Sequence, residues 1–228
     1  MSLRSRGICY LCRNEYSKSG MTRHLKACMA KNKLPGKKKG SQESLLVQVE
    51  GRYLPQYWMH LEVPGSITLA DLDFILREIW LECCGHLSAF YIRNEYYSVQ
   101  PSEELDDQSM NYSLTKVVQP GELFMYQYDF GSTTELTLRL VGKTGRSLPK
   151  DSFIVLARNN PPQYSCDHCE EVAQYICAEC IYEDEGFLCQ KCAGEHECGE
   201  DMLLPVVNSP RSGVCAYMGS EHDEDEVV

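Results

Sequence analysis

The sequence lacks any long hydrophobic run. Nowhere among its 228 residues do about 18 apolar residues follow one another, so it encodes no membrane-spanning helix. Its first residues, MSLRSRGICYLCRNEY, contain no apolar segment of signal-peptide length. We therefore expect a soluble, cytoplasmic protein without a membrane partner, whose thiols stay reduced and available to metal ions.

Basic residues are scarce in the last part of the chain. Residues 163–228 contain 2 Lys or Arg against 16 Asp or Glu, and residues 41–162 contain 9 against 16. Residues 1–40 show the opposite balance, with 11 basic residues and a single acid, Glu15. The net charge of −11 thus conceals a basic head and an acidic tail. Such asymmetry predicts different partners at the two ends, or attraction between them.

Disulfide bonds are not expected either, although the chain has 13 cysteines. The count is odd and no export signal is present, so a disulfide framework is disfavoured. Instead, pairs of cysteines recur with two residues between them. This spacing lets a tight turn direct two thiolates at one tetrahedral zinc ion. The cysteine pattern therefore predicts zinc binding.

The segment Cys166–Cys198 contains seven cysteines and two histidines in 33 residues, and all of them except His168 are predicted ligands. Eight ligands suit two tetrahedral ions, and the succession of short pairs favours a cross-brace, in which alternate pairs share an ion. We assign one site to Cys166, Cys169, Cys189 and Cys192, and the other to Cys177, Cys180, His196 and Cys198. Pairing in sequential order is the alternative. The arrangement resembles the B-box and AN1-type cross-brace fingers.

A third zinc site is predicted near the other end, in CYLCRNEYSKSGMTRHLKAC. Its ligands are Cys9, Cys12, His24 and Cys28. His24 and Cys28 are four residues apart, so on a helix from about Ser19 both point from one face toward the ion. The segment resembles a C2H2-type finger with a final Cys, and Tyr16, Met21 and Leu25 stand where such a finger places its small core. We expect three Zn²⁺ ions in total and no small-molecule cofactor.

Three cysteines lie outside these patterns. Cys83 and Cys84 fall in an apolar helical pattern, which favours a core residue and its neighbour. Cys215, in NSPRSGVCAY, has no ligand nearby in sequence and is interpreted as a packing residue.

The basic head predicts nucleic-acid contact. Of the helix positions that read bases in DNA-binding fingers, only Arg23 has the reach and the forked donors for a guanine edge. The predicted contact residues are Arg13, Lys18, Arg23, Lys26, Lys37, Lys38 and Lys39. One finger covers about three base pairs, so we expect weak and largely sequence-independent binding of DNA or RNA. The alternative is a basic arm that docks on the acidic remainder of the same chain.

The centre of the chain follows a polar linker. Strand-like segments, LLVQVEG and YWMHLEV, precede a Thr68–Asp71 capping box that opens a helix. The apolar face of this helix is Leu69, Leu72, Leu76, Ile79, Trp80 and Cys83, with Gly85 as its stop. Further strands are predicted at 87–99, 122–130, 133–141 and 152–158. These elements predict an α+β domain, with a mixed or antiparallel sheet and one main long helix, flanked by small zinc-binding modules.

Two central segments carry a family resemblance, ITLADLDFILREIWLECCGHLSAFYI and FMYQYDFGSTTELTLRLVG. They resemble the family named after the third open reading frame of an agropine Ri plasmid, which also occurs as a passenger gene in insertion elements. The resemblance covers about residues 44–160. Members commonly continue YQYDFG with an acid, a Trp and a His, whereas this chain continues with Ser132-Thr133-Thr134-Glu135. The resemblance implies a fold and a link to plasmids and mobile elements, but no activity.

Five regions follow from these patterns. They are a C2HC zinc finger (1–30), a basic linker (31–43), the α+β plasmid-family domain (44–160), an acidic two-zinc cross-brace module (161–215) and an acidic disordered tail (216–228). The favoured function is a non-enzymatic adaptor or regulator that holds nucleic acid through the finger and an unidentified protein through the other domains.

Two other functions stay open. One is a purely protein-binding module with an inert basic arm. The other is a nuclease or hydrolase of a mobile element, with a site in the central domain built from Asp129, Glu135, His60 or His86. The enzyme hypothesis requires at least two of these side chains to converge at a cleft.

Overall fold

The computed structural model describes residues 5–32, 42–102, 104, 106–183 and 185–221. The chain divides into two compact units. The first unit is Met1–Ile75 with Leu87–Asn160, and the second is Leu76–His86 with Pro161–Val228. Across the described residues, no helix is both long enough and apolar enough to cross a membrane.

One large sheet dominates the first unit. Its ten strands are β1 Arg6–Cys9, β2 Glu15–Ser17, β3 Leu45–Gly51, β4 Trp58–Val63, β5 Ser88–Ile92, β6 Glu95–Ser98, β7 Gln108–Ser109, β8 Leu123–Tyr128, β9 Thr134–Lys143 and β10 Ile154–Asn159. Their order across the sheet is β2-β1-β10-β4-β3-β9-β8-β5-β6-β7. Neighbours are antiparallel except β6 and β7, which are parallel.

The centre of the sheet is its most apolar part. Every residue of β4 is buried, and β3 beside it buries five of its seven residues. In β9, buried and partly buried residues alternate from Thr134 to Leu138, as expected for a strand with one face on the core. The strands predicted at LLVQVEG and YWMHLEV therefore form the middle of the sheet.

The N-terminal hairpin belongs to this sheet. β1 pairs with β2 on one side and with β10 on the other, where Gly7 lies opposite Asn159. Helix α1, Lys18–Lys31, follows directly, and Ser17 caps it by accepting a hydrogen bond from the Gly20 N–H at 3.3 Å. Its inner face packs into an apolar cluster with the sheet, formed by Cys9, Met21, Leu25, Cys28, Met29, Leu46, Trp58, Leu156 and Ala157.

The predicted fold class, an α+β domain built around one main long helix, is wrong. The structure is mostly sheet, and the central helix α2 spans only Leu69–Leu76.

The predicted Thr68–Asp71 capping box at the start of α2 is confirmed, because the Thr68 N–H donates to Asp71 Oδ2 at 2.9 Å and the Asp71 N–H donates to Thr68 Oγ1 at 3.1 Å. After Leu76 the chain makes a π-helical turn, Arg77–Leu81, in which the Glu82 N–H donates to the Arg77 carbonyl at 2.8 Å. The helical hydrophobic period continues through this turn, which is why the sequence suggested a longer helix.

A predicted single strand at 87–99 is two strands. β5 and β6 form a hairpin whose turn residues, Arg93 and Asn94, have φ angles of 52° and 68°. Positive φ at both central residues is the geometry of a tight two-residue hairpin turn. A short helix α3, Leu114–Val117, precedes β8.

The described residues of the second unit include a small sheet and two named 3₁₀ turns. Its strands are β11 Tyr175–Cys177, β12 Phe187–Leu188 and β13 Leu203–Pro205, in the order β12-β11-β13, and its helix α4 spans Gln190–Gly194. The 3₁₀ turns are Cys180–Glu183 and Glu200–Met202. One of its apolar clusters, beside the small sheet, consists of the buried residues Cys177, Leu188 and Ala193.

Residues 33–41 of the predicted linker and residues 222–228 of the predicted tail lie outside the described residues. The domain boundaries drawn from the sequence stay predictions.

Candidate metal centres

The N-terminal cluster is formed by a turn and a helix. Cys9 ends β1, and the turn after it is closed by the Arg13 N–H, which donates to the Cys9 carbonyl at 2.7 Å. Helix α1 supplies His24 and Cys28 from one face. Cys12 Sγ lies 3.3 Å from His24 Nε2, and Cys9 Sγ lies 4.0 Å from Cys28 Sγ. All four ligand atoms lie within 4.8 Å of one another, so they can share one ion.

Neighbouring groups orient these ligands. The ring of Tyr16 stacks on the His24 imidazole with a centroid separation of 3.8 Å. Burial lowers the pKa of His24, which favours the neutral imidazole that a metal requires. The Asn32 side-chain amide donates to Cys28 Sγ at 3.3 Å. Such outer contacts hold ligands in position.

Four thiols form a second cluster in the second unit, namely Cys166, Cys169, Cys189 and Cys192. Cys169 Sγ lies 3.6 Å from Cys189 Sγ and 3.9 Å from Cys192 Sγ. Cys189 caps helix α4, and its Sγ accepts from the Cys192 N–H at 3.5 Å. Burial raises the pKa of the Cys166 thiol, but hydrogen bonds from the Cys189 and His168 backbone and from the Cys169 and Cys192 thiols lower it, and together they bring that pKa to about 6. A thiol with this pKa is a ready metal ligand.

A third cluster alternates with the second along the chain. Its members are Cys177, Cys180, His196 and Cys198. Cys180 Sγ lies 3.5 Å from both His196 Nε2 and Cys198 Sγ. Cys177 ends β11, and Cys180 begins the 3₁₀ turn after it. The interleaved grouping chosen from the sequence, rather than the sequential one, is the grouping found in the structure.

A fourth cluster was not predicted. It consists of Cys83, Cys84, His86 and Cys215, whose ligand atoms also lie within 4.8 Å of one another. The helical pattern that placed Cys83 and Cys84 in the core is misleading, because helical structure ends at Leu81. The packing role assigned to Cys215 is wrong, since this residue is exposed. The available signal was the density of ligands in CCGH, but their fourth partner is 129 residues from His86.

The four clusters share one chemistry. All 13 cysteines are free, and each belongs to one of the four groups. Tetrahedral zinc places two thiolate sulfurs about 3.8 Å apart and a sulfur and an imidazole nitrogen about 3.5 Å apart, as follows from bond lengths of about 2.3 and 2.0 Å. The sulfur–sulfur separations of 3.5–4.0 Å match this geometry and far exceed a disulfide bond of about 2.05 Å. The four clusters could therefore hold metal ions.

The predicted nucleic-acid residues differ in their availability. Arg13, Arg23 and Lys26 are exposed. Lys18 is engaged, because its Nζ forms an ion pair with Glu50 at 2.9 Å and donates to the Pro55 carbonyl at 3.1 Å. Lys37, Lys38 and Lys39 lie outside the described residues.

The predicted catalytic candidates do not converge. His60 is fully buried, and its Nε2 lies 2.7 Å from Thr22 Oγ1. The Asp129 carboxylate accepts hydrogen bonds from the Gly131 and Ser132 N–H groups in a turn. Glu135 forms an ion pair with Arg52 at 2.8 Å. Each of these three has an ordinary structural partner, and His86 belongs to the fourth cysteine cluster. Nothing among the described residues indicates catalysis.

Comparisons with known proteins give a family match and similarity to a solved structure. A family model described as "Plasmid pRiA4b ORF-3-like protein" matches residues 44–179, which supports the resemblance predicted for 44–160 and extends into the cysteine-rich segment. None of the curated proteins matches. A protein of unknown function from Methanosarcina mazei Go1 has a similar structure with 18% sequence identity and a TM-score of 0.38. The alignment covers 52% of this chain and 65% of that one, so the chain spans less than two thirds of that relative.

Proposed function

The chain belongs to the plasmid pRiA4b ORF-3-like family, and on that premise we propose that it is a non-enzymatic zinc-binding adaptor. Zn²⁺ fills the three predicted clusters. The N-terminal region contacts the phosphate backbone of DNA or RNA, and the acidic C-terminal region contacts a protein.

A structural role for the metal agrees with the donor sets. Each predicted cluster supplies four protein ligands, so a tetrahedral ion has no open position for a substrate water. Zinc suits these sites because cysteine and imidazole are its usual ligands. The family description names no reaction.

The outer face of α1 is the observation that carries the nucleic-acid proposal. Arg23, Lys26 and Lys31 are exposed, and at about 100° per residue they fall within an arc of about 140° around the helix axis. The opposite side of the helix is buried through Met21, Leu25 and Cys28. Neither Arg23 nor Lys26 forms an ion pair within the described ranges, so their charges remain available to phosphates.

A shallow depression adjoins this face. Its volume is about 310 Å³, and its lining includes Lys26 and Lys143. Two lysines around an open, partly apolar depression can hold a phosphate oxygen without selecting a base. The sequence after α1 contains four further lysines, Lys33, Lys37, Lys38 and Lys39, which lie outside the described residues. These features support weak binding that falls with salt concentration.

The alternative, a basic arm docked on the acidic remainder of the chain, has one observation in its favour. Lys18 pairs with Glu50 in β3. That contact removes one cation from the surface but leaves Arg23, Lys26 and Lys31 exposed. Nucleic-acid binding is therefore the stronger proposal.

A binding experiment tests the basic face in the full-length protein. The triple variant Arg23→Gln, Lys26→Gln, Lys31→Gln removes three charges from α1. The matched control, Lys116→Gln, Lys150→Gln, Lys191→Gln, removes three exposed charges elsewhere. Fluorescence anisotropy with a mixed-sequence DNA duplex, repeated over a range of salt concentrations, measures affinity and its salt dependence. The same titration with single-stranded RNA shows whether the protein binds DNA or RNA more tightly.

The α1 variant should bind more weakly. The negative slope of the logarithm of its binding constant against the logarithm of salt concentration should become less steep, by up to about 0.9 for each phosphate that the variant no longer neutralises. The control variant should bind as the wild type does. Equal weakening in both variants, or no salt-dependent binding by the wild type, would refute the nucleic-acid role.

The protein-binding half of the proposal concerns the second unit. Its sequence after residue 162 is strongly acidic, which disfavours it as a nucleic-acid surface. Tyr182, Val172 and Met218 are more than half exposed, with 74, 54 and 63% of their surfaces accessible. Exposed apolar side chains in an acidic surrounding suit a protein partner with basic and apolar groups. If a specific protein co-purifies with the wild type and with Tyr53→Ser but not with Tyr182→Ser, the result would support protein binding by the second unit.

A further inference from the structure

We propose that Cys83, Cys84, His86 and Cys215 form a fourth zinc site. These residues lie at the end of the π-helical turn and in a loop near the C-terminus, and both segments belong to the second unit. The proposal goes beyond the function above, since it assigns a metal to residues that neither the nucleic-acid nor the protein-binding role uses.

The distances at this cluster fit a tetrahedral ion. Cys84 Sγ lies 3.7 Å from Cys215 Sγ, and Cys215 Sγ lies 3.6 Å from His86 Nε2. Zinc with three thiolates and one imidazole would place these atom pairs about 3.8 and 3.5 Å apart. The same separations, within a few tenths of an ångström, occur in the three clusters predicted from sequence.

The set of cysteines gives a second argument. The other three clusters contain ten of the 13 cysteines, and this cluster contains the remaining three. No cysteine in the chain therefore stands apart from a four-ligand group. Three thiols and one imidazole are the donor set of the N-terminal cluster as well.

Backbone geometry brings the ligands to one point. Gly85, between Cys84 and His86, has a φ angle of 73°, and its N–H donates to Glu82 Oε1 at 2.6 Å. Cys215 has a φ angle of 56°, a conformation that is unfavourable for a residue with a Cβ. Such strain at a non-glycine residue persists where a functional contact maintains it. A metal bond to Cys215 would provide that contact.

Arg211 supplies an outer contact of the kind that metal-bound thiolates receive. Its side chain is fully buried, and its Nη2 donates to Cys83 Sγ at 3.4 Å. A buried guanidinium stabilises a sulfur that carries negative charge, and Arg is permanently charged. The contact therefore gives this sulfur an outer hydrogen-bond donor, as the Asn32 amide does for Cys28 Sγ.

The proposed site would fasten the C-terminal segment to the end of the helix. Two hydrogen bonds already join these segments, from Ser209 Oγ to the Trp80 carbonyl at 2.7 Å and from Ser220 Oγ to the Ile79 carbonyl at 2.8 Å. Residues His86 and Cys215 are 129 positions apart. Closing a loop of this length costs substantial chain entropy, which a metal bond can offset.

Counting zinc ions in the full-length protein tests the proposal. Protein purified under reducing conditions and loaded with Zn²⁺ is weighed by native mass spectrometry. The wild type should carry four ions, and the variant Cys84→Ser, Cys215→Ser should carry three. Ser220→Ala, which alters a nearby hydrogen bond without removing a ligand, should retain four. Cys12→Ser, Cys28→Ser should also lose one ion, and combining the two double variants should lose two.

A second measurement uses only the wild type, so it does not depend on whether a variant folds. Zinc-loaded protein is treated with a thiol-alkylating reagent, and the modified cysteines are located by peptide mapping before and after chelation. Cys83, Cys84 and Cys215 should be protected until the chelator is added. Three ions in the wild type, free alkylation of these thiols, or a Cys84–Cys215 disulfide would overturn the fourth site. With three ions in the other clusters, the proposed function would stand, whereas an ion count of zero would remove both.

Discussion

At the scale of single residues, a buried ion pair joins the middle of the large sheet to the loop after β9. Glu62 in β4 is fully buried, and Arg146 has 8% of its side chain exposed. Arg146 donates to both carboxylate oxygens, and Thr144 Oγ1 adds a third hydrogen bond at 2.7 Å. The guanidinium also donates to the Asn32 carbonyl at the end of α1. The pair thus fixes the relative position of three chain segments in the first unit.

Removing one charge of this pair should be costly. Glu62→Gln leaves a buried guanidinium uncompensated and should lower the free energy of unfolding by about 3–5 kcal/mol. Glu15→Gln breaks an exposed ion pair with Arg6 and serves as the control, with little expected effect. Urea unfolding of both variants measures the difference. Equal free energies of unfolding for the two variants would show that breaking the buried Glu62–Arg146 pair costs no more than breaking the exposed Glu15–Arg6 pair.

His60 predicts a pH dependence of stability. Burial lowers its pKa to about 4, whereas an unfolded histidine titrates near 6.5. As the pH falls below about 6.5, the His60 imidazole becomes protonated in the unfolded chain but stays neutral in the folded chain. The free energy of unfolding therefore decreases until the pH reaches about 4. The loss from this group is about 1.4 kcal/mol at pH 5.5.

The variant His60→Gln tests this dependence, since glutamine does not titrate and can still bond to Thr22. Urea unfolding at pH 7.5 and 5.5 should show a drop that is about 1.4 kcal/mol smaller in the variant than in the wild type. Acid release of metal affects both proteins and cancels in this comparison. An identical drop would mean that His60 is protonated in the folded protein.

At the scale of elements, β1 approaches its neighbour closely at Gly7. A Cβ at this position would lie 2.7 Å from both the Asn159 Cα and the indole of Trp58, which is closer than van der Waals contact allows. Glycine at this point therefore permits the N-terminal hairpin to pair with β10.

Gly7→Ala should destabilise the protein by about 1–3 kcal/mol, because the sheet must shift to admit the methyl group. Gly194→Ala is a matched control, since a Cβ there meets nothing within 4 Å. Thermal unfolding compares the two variants. A wild-type melting temperature for Gly7→Ala would mean that β1 does not pair with β10 in solution.

The sequence predicts a structural feature well when the residues that form it are close together in the chain. The pairs Cys9–Cys12 and Cys166–Cys169 were recognisable because a knuckle needs only four residues. The central strands were recognisable because LLVQVEG and YWMHLEV are short segments rich in apolar, β-branched and aromatic residues. The fourth cluster was missed because only the fold brings Cys215 to His86. The helix α2 was overextended because its apolar period continues beyond the last α-helical turn.

The N-terminal region also packs in a way that its local sequence does not display. Met21 and Leu25 share a buried cluster with Trp58 and Leu156 of the sheet. The region therefore gains apolar burial from residues more than 30 positions away, which no local pattern displays.

At the scale of the whole molecule, the two units should differ in their dependence on metal. The second unit has a small apolar cluster and three of the four cysteine clusters, whereas the first unit has a large sheet and one. A structural zinc ion contributes about 10–16 kcal/mol in small finger peptides, which is comparable to the total stability of a domain.

Chelation should therefore unfold the second unit and leave most of the large sheet intact. Hydrogen exchange measured by mass spectrometry should show rapid exchange in β11–β13 after treatment with a strong chelator, while β3, β4 and β9 stay protected. The same chelator saturated with zinc is the control. Unchanged protection in β11–β13 would mean that metal does not support this unit.

The pairing of β1 with β10 has a consequence for synthesis on the ribosome. Gly7 leaves the ribosome about 150 residues before its partner Asn159, an interval of roughly ten seconds or more at common elongation rates. During that interval all four ligands of the N-terminal cluster, from Cys9 to Cys28, have already been synthesised and could bind an ion. The first metal would then be loaded on an unfinished protein, and the neighbouring strand would complete the sheet around a finger that had already formed.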